Sequence, residues 1–165
     1  MIFEIAELTS PIGTITLALR GAHLCALGFT DRWPKQQRVL VRRFGAVEWR
    51  RLDSGDVVKR LWDYFAGDLD ALTPIPADPG GTAFQAKVWA ALREVPVGRT
   101  VSYGDLARAI GSPSAVRAVG AANGANPIGI VIPCHRVIGA DGQLVGYGGG
   151  IERKRWLLRH EGVAC

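Results

Sequence analysis

SYGDLARAIGSPSAVRAVGAANG, residues 102–124, is the stretch whose reading decides the fold of the chain's second half. Ser102 and Asp105 stand at the spacing of a capping box, so a short helix should open there and run to about Ile110. Gly111 breaks it. Ser112 can cap a second helix with Pro113 at the first helical position, where a missing N–H costs nothing. That helix should run to about Gly124, and the pair reads as a helix-turn-helix. Such a unit serves plain packing as readily as DNA binding. Val116 and Val119 are the expected packing face of the second helix. Arg117 is its only long side chain, among Ala115, Ala118, Gly120, Ala121, Ala122 and Gly124. Small residues admit a close neighbour, either another helix or a nucleic-acid groove. A glycine inside a helix costs about 1 kcal/mol against alanine, so a close contact should compensate.

Downstream, residues 128–132 (IGIVI) read as a short buried strand that Pro133 ends, with Cys134 at its edge. A cysteine there is either a buried structural thiol or a nucleophile. His135 is adjacent, but neighbouring side chains diverge, so direct contact would need a tight turn or a bridging water. Residues 151–160 read as a helix that Gly162 stops. Glu161 at its C-terminal end opposes the helix dipole, a placement that suggests a used carboxylate, though a surface glutamate fits as well. A carboxylate orienting a histidine that activates a thiol follows triad logic. Residues 145–150 (VGYGGG) form a loop with free backbone N–H groups and no phosphate-loop spacing.

Upstream, Thr82 and Gln85 mark another capping box, and the helix after it should bury Phe84, Val88, Trp89 and Leu92. Residues 72–81 hold Pro74, Pro76, Pro79, Gly80 and Gly81 and read as a linker. Two domains are therefore expected, 1–79 and 80–165. In the first, the N-terminus reads as a strand, and Ile15, Leu17, Leu19 and then Cys25, Leu27, Phe29 alternate as a hairpin around Gly21. Residues 31–53 receive no assignment. Residues 55–66 look helical, with Val57, Val58, Leu61, Trp62 and Phe65 on one face.

The chain has 165 residues, 48% hydrophobic and 21% charged, as in ordinary globular proteins. No apolar run approaches the roughly 20 residues of a membrane span, and the N-terminus lacks signal-peptide features. A cytoplasmic protein with no membrane partner is expected. Cys25, Cys134 and Cys165 make a poor disulfide framework and a poor zinc site, so no metal is expected. Net charge is +5, and all of the excess lies beyond residue 80, where ten Lys/Arg face five Asp/Glu. That bias suits a polyanionic partner and equally a solvated basic face.

With these residues assembled, the chain resembles the O6-alkylguanine-DNA alkyltransferases. The resemblance covers roughly residues 82–162. It rests on Pro133-Cys-His-Arg-Val137, with Asn126-Pro127 before it, the 114–120 helix, Tyr103, the glycine loop and the Trp156-to-Gly162 end. It implies a mixed α/β fold: a small N-terminal domain with an antiparallel hairpin sheet and helix, then a mainly α domain with a winged helix-turn-helix. It implies DNA repair by direct reversal, with irreversible transfer of the alkyl group from O6-alkylguanine in DNA to Cys134, once per protein. O4-alkylthymine is a further candidate lesion. By the same resemblance His135 is the base through a water, Glu161 orients it, and Asn126 holds the active-site turn. Tyr103 donates to the flipped base, the carbonyls of Cys134 and Val137 accept from its amino group, and Tyr147 and amides about Gly148 complete the pocket. Arg117 fills the emptied stack while Ala115, Ala118, Gly120 and Ala121 lie against the minor groove. The implied partner is double-stranded DNA carrying the lesion, bound by a monomer without cofactor, and nucleoid-associated if the source is bacterial. A non-catalytic lesion binder and a cysteine hydrolase are the competing readings.

Overall fold

The computed structural model describes residues 1–165 as two compact units, Met1–Pro79 and Gly80–Cys165. The first unit opens with β1 (Ile2–Ser10), β2 (Gly13–Arg20) and β3 (His23–Phe29). Each pairs antiparallel with the next. The unassigned stretch 31–53 carries α1 (Trp33–Phe44) and β4 (Glu48–Arg51), and β4 adds to β1 in parallel, giving the order β3-β2-β1-β4. Arginines hid both elements. In α1 only Trp33 and Leu40 are buried, with Phe44 packed against the core, and β4 is a charged edge strand with only Trp49 turned inward.

Helix α2 (Asp56–Phe65) packs on β1. Its buried face is Val57, Val58, Leu61 and Tyr64, whereas Trp62, expected inside, is 48% exposed. Positions 57, 61 and 64 follow the i, i+4, i+7 line, and 62 lies off it. Residues 72–78 are no free linker. Leu72 and Ile75 are buried, and the backbone at Pro76 and Asp78 bonds Leu24 at the edge of β3. Arg20 and Arg43 both pair with Asp78, at 3.0 and 2.7 Å.

The second unit is mainly helical. Both capping boxes form, at Thr82 and at Ser102, and open α3 (Ala83–Arg93) and α4 (Tyr103–Ala109). Helices α3 and α4 pack with α5 (Val116–Gly124), and the Trp89 Nε1–H donates to the Ala122 carbonyl at 2.8 Å. Phe84 is only half-buried. Helix α5 starts later than its sequence signals suggest. Ser112 accepts through its carbonyl from the Ala115 N–H, closing a turn with Pro113 at the second position, which proline's fixed φ favours. Val119 is fully buried, but Val116 in the first helical position is 40% exposed.

The expected strand at 128–132 is absent. Apart from half-buried Gly129 those residues are buried, but they run as successive turns, with Ile130 at φ 69°. Asn126 imposes them: its Nδ2 donates to the Ile132 carbonyl at 2.8 Å and its Oδ1 accepts from the Ile128 N–H at 3.0 Å. Apolar content alone does not distinguish a buried strand from buried turns. Cys134, His135 and Arg136 form a 3-10 turn, after which β6 (Val137–Ile138) pairs in parallel with β5 (Val101–Ser102). Helix α6 (Ile151–His160) packs on that turn.

Candidate active site in the second unit

The 3-10 turn places three consecutive side chains inside the protein. Cys134 is 8% exposed and His135 not at all. Consecutive side chains diverge, and His135 turns towards α6. There its Nε2 meets the Glu161 Oε2 at 2.9 Å. The Glu161 N–H bonds Leu157 and Leu158 carbonyls at the end of α6, so the helix terminus itself aims the carboxylate inward. Glu161 is 4% exposed, which excludes the surface-glutamate reading.

Arg136 shares the same carboxylate. Its Nε donates to Oε1 at 2.8 Å and its NH2 to Oε2 at 3.0 Å, while NH1 donates to the Val95 carbonyl. The sequence reading gave Arg136 no role, although it stands in the PCHRV motif. Lys154 was missed as well. It is fully buried, and its ammonium donates to the Val137 carbonyl at 2.5 Å and the Val145 carbonyl at 2.7 Å. Val137, expected to offer its carbonyl to a base, already accepts from Lys154 through one lone pair.

The charges decide the protonation states. Burial pushes Glu161 upward, but the hydrogen bonds and positive charge of His135 and Arg136 outweigh it and hold the carboxyl well below its usual range. Burial lowers His135 against the pull of Glu161, and Arg136 and Lys154 add to the lowering. His135 is thus neutral. An ionised Glu161 takes the proton on Nε2, which leaves Nδ1 with a free lone pair. That Nδ1 is buried and has no protein partner. Burial raises the Cys134 thiol, while an Asn126 side-chain hydrogen bond and the charge of Lys154 work against it. The resting group is therefore a thiol.

Two tyrosines feel the same sulfur. Burial raises both phenols, and negative charge at Cys134 raises them further, Tyr147 most. Both are neutral hydroxyl donors. The Tyr103 ring lies along α5 where Gly120 has no side chain: a β-carbon there would sit 3.8 Å from it. The Tyr103 hydroxyl would lie 3.6 Å from a β-carbon at Gly146, in the glycine loop. Gly148 is an exposed member of that loop. On α5, Arg117, Ala118, Ala121 and Gly124 are exposed, Ala115 and Gly120 half-buried, and Val119, Ala122 and Asn123 buried. Gly124 borders open space, so no contact within the chain explains it. No group of three His, Cys, Asp or Glu side chains is placed to hold a metal, and no helix is long and apolar enough to cross a membrane.

Residues 83–163 match the family model described as 6-O-methylguanine DNA methyltransferase, DNA binding domain. A methylated-DNA–protein-cysteine methyltransferase of Salmonella typhimurium is 50% identical over 81% of this chain and 78% of its own. That of Mycolicibacterium paratuberculosis is 48% identical over 96% and 92%. The crystal structure of Mycobacterium tuberculosis O6-methylguanine methyltransferase is similar at TM-score 0.80 and 44% identity, covering 96% of this chain and 92% of that one. The Mycobacterium tuberculosis protein in complex with DNA is similar at TM-score 0.81.

Proposed function

The chain belongs to the methylated-DNA–protein-cysteine methyltransferase family, and on that premise we propose that Cys134 is its alkyl acceptor. The protein repairs DNA by direct reversal, taking the alkyl group from guanine O6 onto its own cysteine. The observation that supports the assignment to Cys134 is the buried turn that carries it directly before a neutral His135, whose Nε2 is held by Glu161 and whose Nδ1 has no protein partner.

The thiol proton passes to His135 Nδ1 through one water. The sulfur attacks the alkyl carbon, the S–C bond forms, and the C–O6 bond breaks with its electron pair leaving on guanine. Guanine leaves poorly unless that charge is met, and a neutral Tyr103 hydroxyl is a fitting donor. Tyr147 and the amides about Gly148 close the pocket. Glu161 keeps the imidazolium that forms from being an isolated buried charge. The thioether does not hydrolyse, so each copy acts once.

O6 lies inside the duplex, so the base must leave the stack at a cost of a few kcal/mol. Arg117 fills the gap, and the small exposed residues of α5, with Ala115 and Gly120, let the helix lie close to the minor groove. Residues 80–165 therefore hold both chemistry and DNA contact, and a monomer suffices. No role is assigned to a metal or cofactor.

Intact-mass and peptide analysis after mixing with a duplex bearing one O6-methylguanine tests this. One methyl group on the Cys134 peptide, saturating at one per protein, is expected. Tight binding with no gain would make the protein a lesion binder instead, and repeated turnover on an ester would make it a hydrolase.

A further inference from the structure

The reaction above uses residues of the second unit, yet α1 in the first unit carries charge that nothing in the chain answers. Between Trp33 and Phe44 it holds Lys35, Arg38, Arg42 and Arg43 and no acid. Arg43 is spent on Asp78. The other three are exposed and meet no acid. At 100° per residue they fall within about 60° of one another, opposite the buried Trp33 and Leu40.

Such a stripe works against the helix that carries it. Lys35 stands in the first turn, where the helix dipole favours an acid. Lys35 and Arg38 are three residues apart, Arg38 and Arg42 four apart, and like charges at those spacings repel. Helix α2 uses the same spacing in the opposite way: Arg60 pairs with Asp56 and Lys59 with Asp63. A chain that pairs charges on one helix and leaves them clustered on the helix before it finds their counter-charge outside itself.

We propose that Lys35, Arg38 and Arg42 form a second DNA-contact surface, which binds the phosphate backbone without reading sequence. The proposal rests on DNA being the partner, not on which residue accepts the alkyl group. The dimensions fit. The three residues span about 10 Å along α1, and one DNA strand presents about three phosphates in that length. A damaged base is rare, so most encounters are with undamaged duplex, and a sequence-independent contact lets the protein slide and hop along it. A membrane surface fits less well. An interfacial helix needs an apolar face free to enter lipid. In α1 Trp33 and Leu40 are buried and Phe44 packs on the core, which leaves only Val39 and Val41 exposed.

Lys35, Arg38 and Arg42 are replaced together by glutamine, and affinity for an undamaged duplex is measured across a salt series. Each phosphate contact contributes about 0.9 to the slope of log affinity against log salt, so two or three lost contacts should flatten it by about 1.8 to 2.7. Alkyl transfer from the free modified base should keep the parent rate. A matched variant replaces Arg50, Arg51 and Lys59, each already paired with an acid, by glutamine and should keep the parent slope. An unchanged slope in the stripe variant overturns the proposal. An equal fall in both variants overturns it too, because net charge alone would then be responsible. Loss of binding to phosphatidylglycerol vesicles with an unchanged DNA slope would give the stripe to a membrane instead. A second measurement needs no substitution and stands if the variant does not fold. Acetylation of Lys35 in the parent protein is followed by peptide mass analysis, with exposed Lys59 as the reference. The undamaged duplex should shield Lys35 several-fold more than Lys59, and equal labelling of Lys35 with and without duplex overturns the contact. A parent protein that binds no duplex at all overturns the DNA reading itself.

Discussion

At the scale of the residue, Glu161 does more than a triad comparison suggests. Its two oxygens serve His135 once and Arg136 twice. Glu161→Gln keeps the size but leaves the Arg136 guanidinium buried without a counter-charge. Breaking a buried pair from one side costs about 3–5 kcal/mol. The variant should therefore melt markedly lower as well as transfer alkyl groups more slowly, and thermal denaturation beside single-turnover kinetics separates the two losses. The buried pair of His135 and Glu161 sets the acid limb of stability. His135 resists protonation when folded, so the unfolded chain binds that proton first as pH falls below about 6.5, and stability starts to drop there. Glu161, held low, adds a second loss as pH falls through about 4.5 and below, where only the unfolded chain is protonated. Melts across pH 8 to 4 should show both losses in the parent, and the lower one should vanish in Glu161→Gln. From the sequence, Cys134, His135 and Glu161 were legible because rare chemistry stood at marked positions. Arg136 and Lys154 were not, because an arginine or lysine in a basic chain gives no sign of being buried.

At the scale of the element, the capping boxes at Thr82 and Ser102 were readable because their signal is local and reciprocal. The start of α5 and the path of 128–132 were not. Ser112 and Pro113 suit a helix N-terminus and a turn alike, and the Ala115 N–H settled it for the turn. The run at 128–132 lost its strand because Asn126 takes up its backbone groups from outside the run. Helix α5 can be tested directly. A β-carbon at Gly120 would meet the Tyr103 ring at 3.8 and 3.9 Å, ordinary contact distances. Gly120→Ala should therefore fold and gain up to about 1 kcal/mol from helix propensity. Gly120→Leu cannot share that space with Tyr103 and should slow transfer from duplex DNA. Thermal melts that show Gly120→Ala to be destabilised would mean that the Tyr103 ring leaves no room for a β-carbon on α5.

At the scale of the whole molecule, charge is divided unevenly along the chain. Residues 1–80 balance ten Lys/Arg with ten Asp/Glu, while residues 81–165 carry ten against five. In the first part many arginines are spent on neighbouring acids, as Arg20 and Arg43 are on Asp78, Arg50 on Glu48 and Arg51 on Asp53. Arg117 stands exposed on α5 with small residues about it. Affinity for DNA falls with log salt by about 0.9 for each phosphate neutralised, so three to five contacts would weaken binding about 50- to 500-fold between 50 and 200 mM salt. Charge-neutral variants in the second part should flatten that slope, and Arg51→Gln should leave it unchanged. Arg117→Ala separates attraction from base extrusion. An arginine that fills the emptied stack matters only when there is a stack to hold open. The variant should lose at least about tenfold in repair of duplex DNA, the equivalent of 1.4 kcal/mol, while reacting with the free modified base at the parent rate. Equal losses on both substrates would place Arg117 in the reaction pocket, and a changed salt slope with normal repair at low salt would make it a phosphate contact.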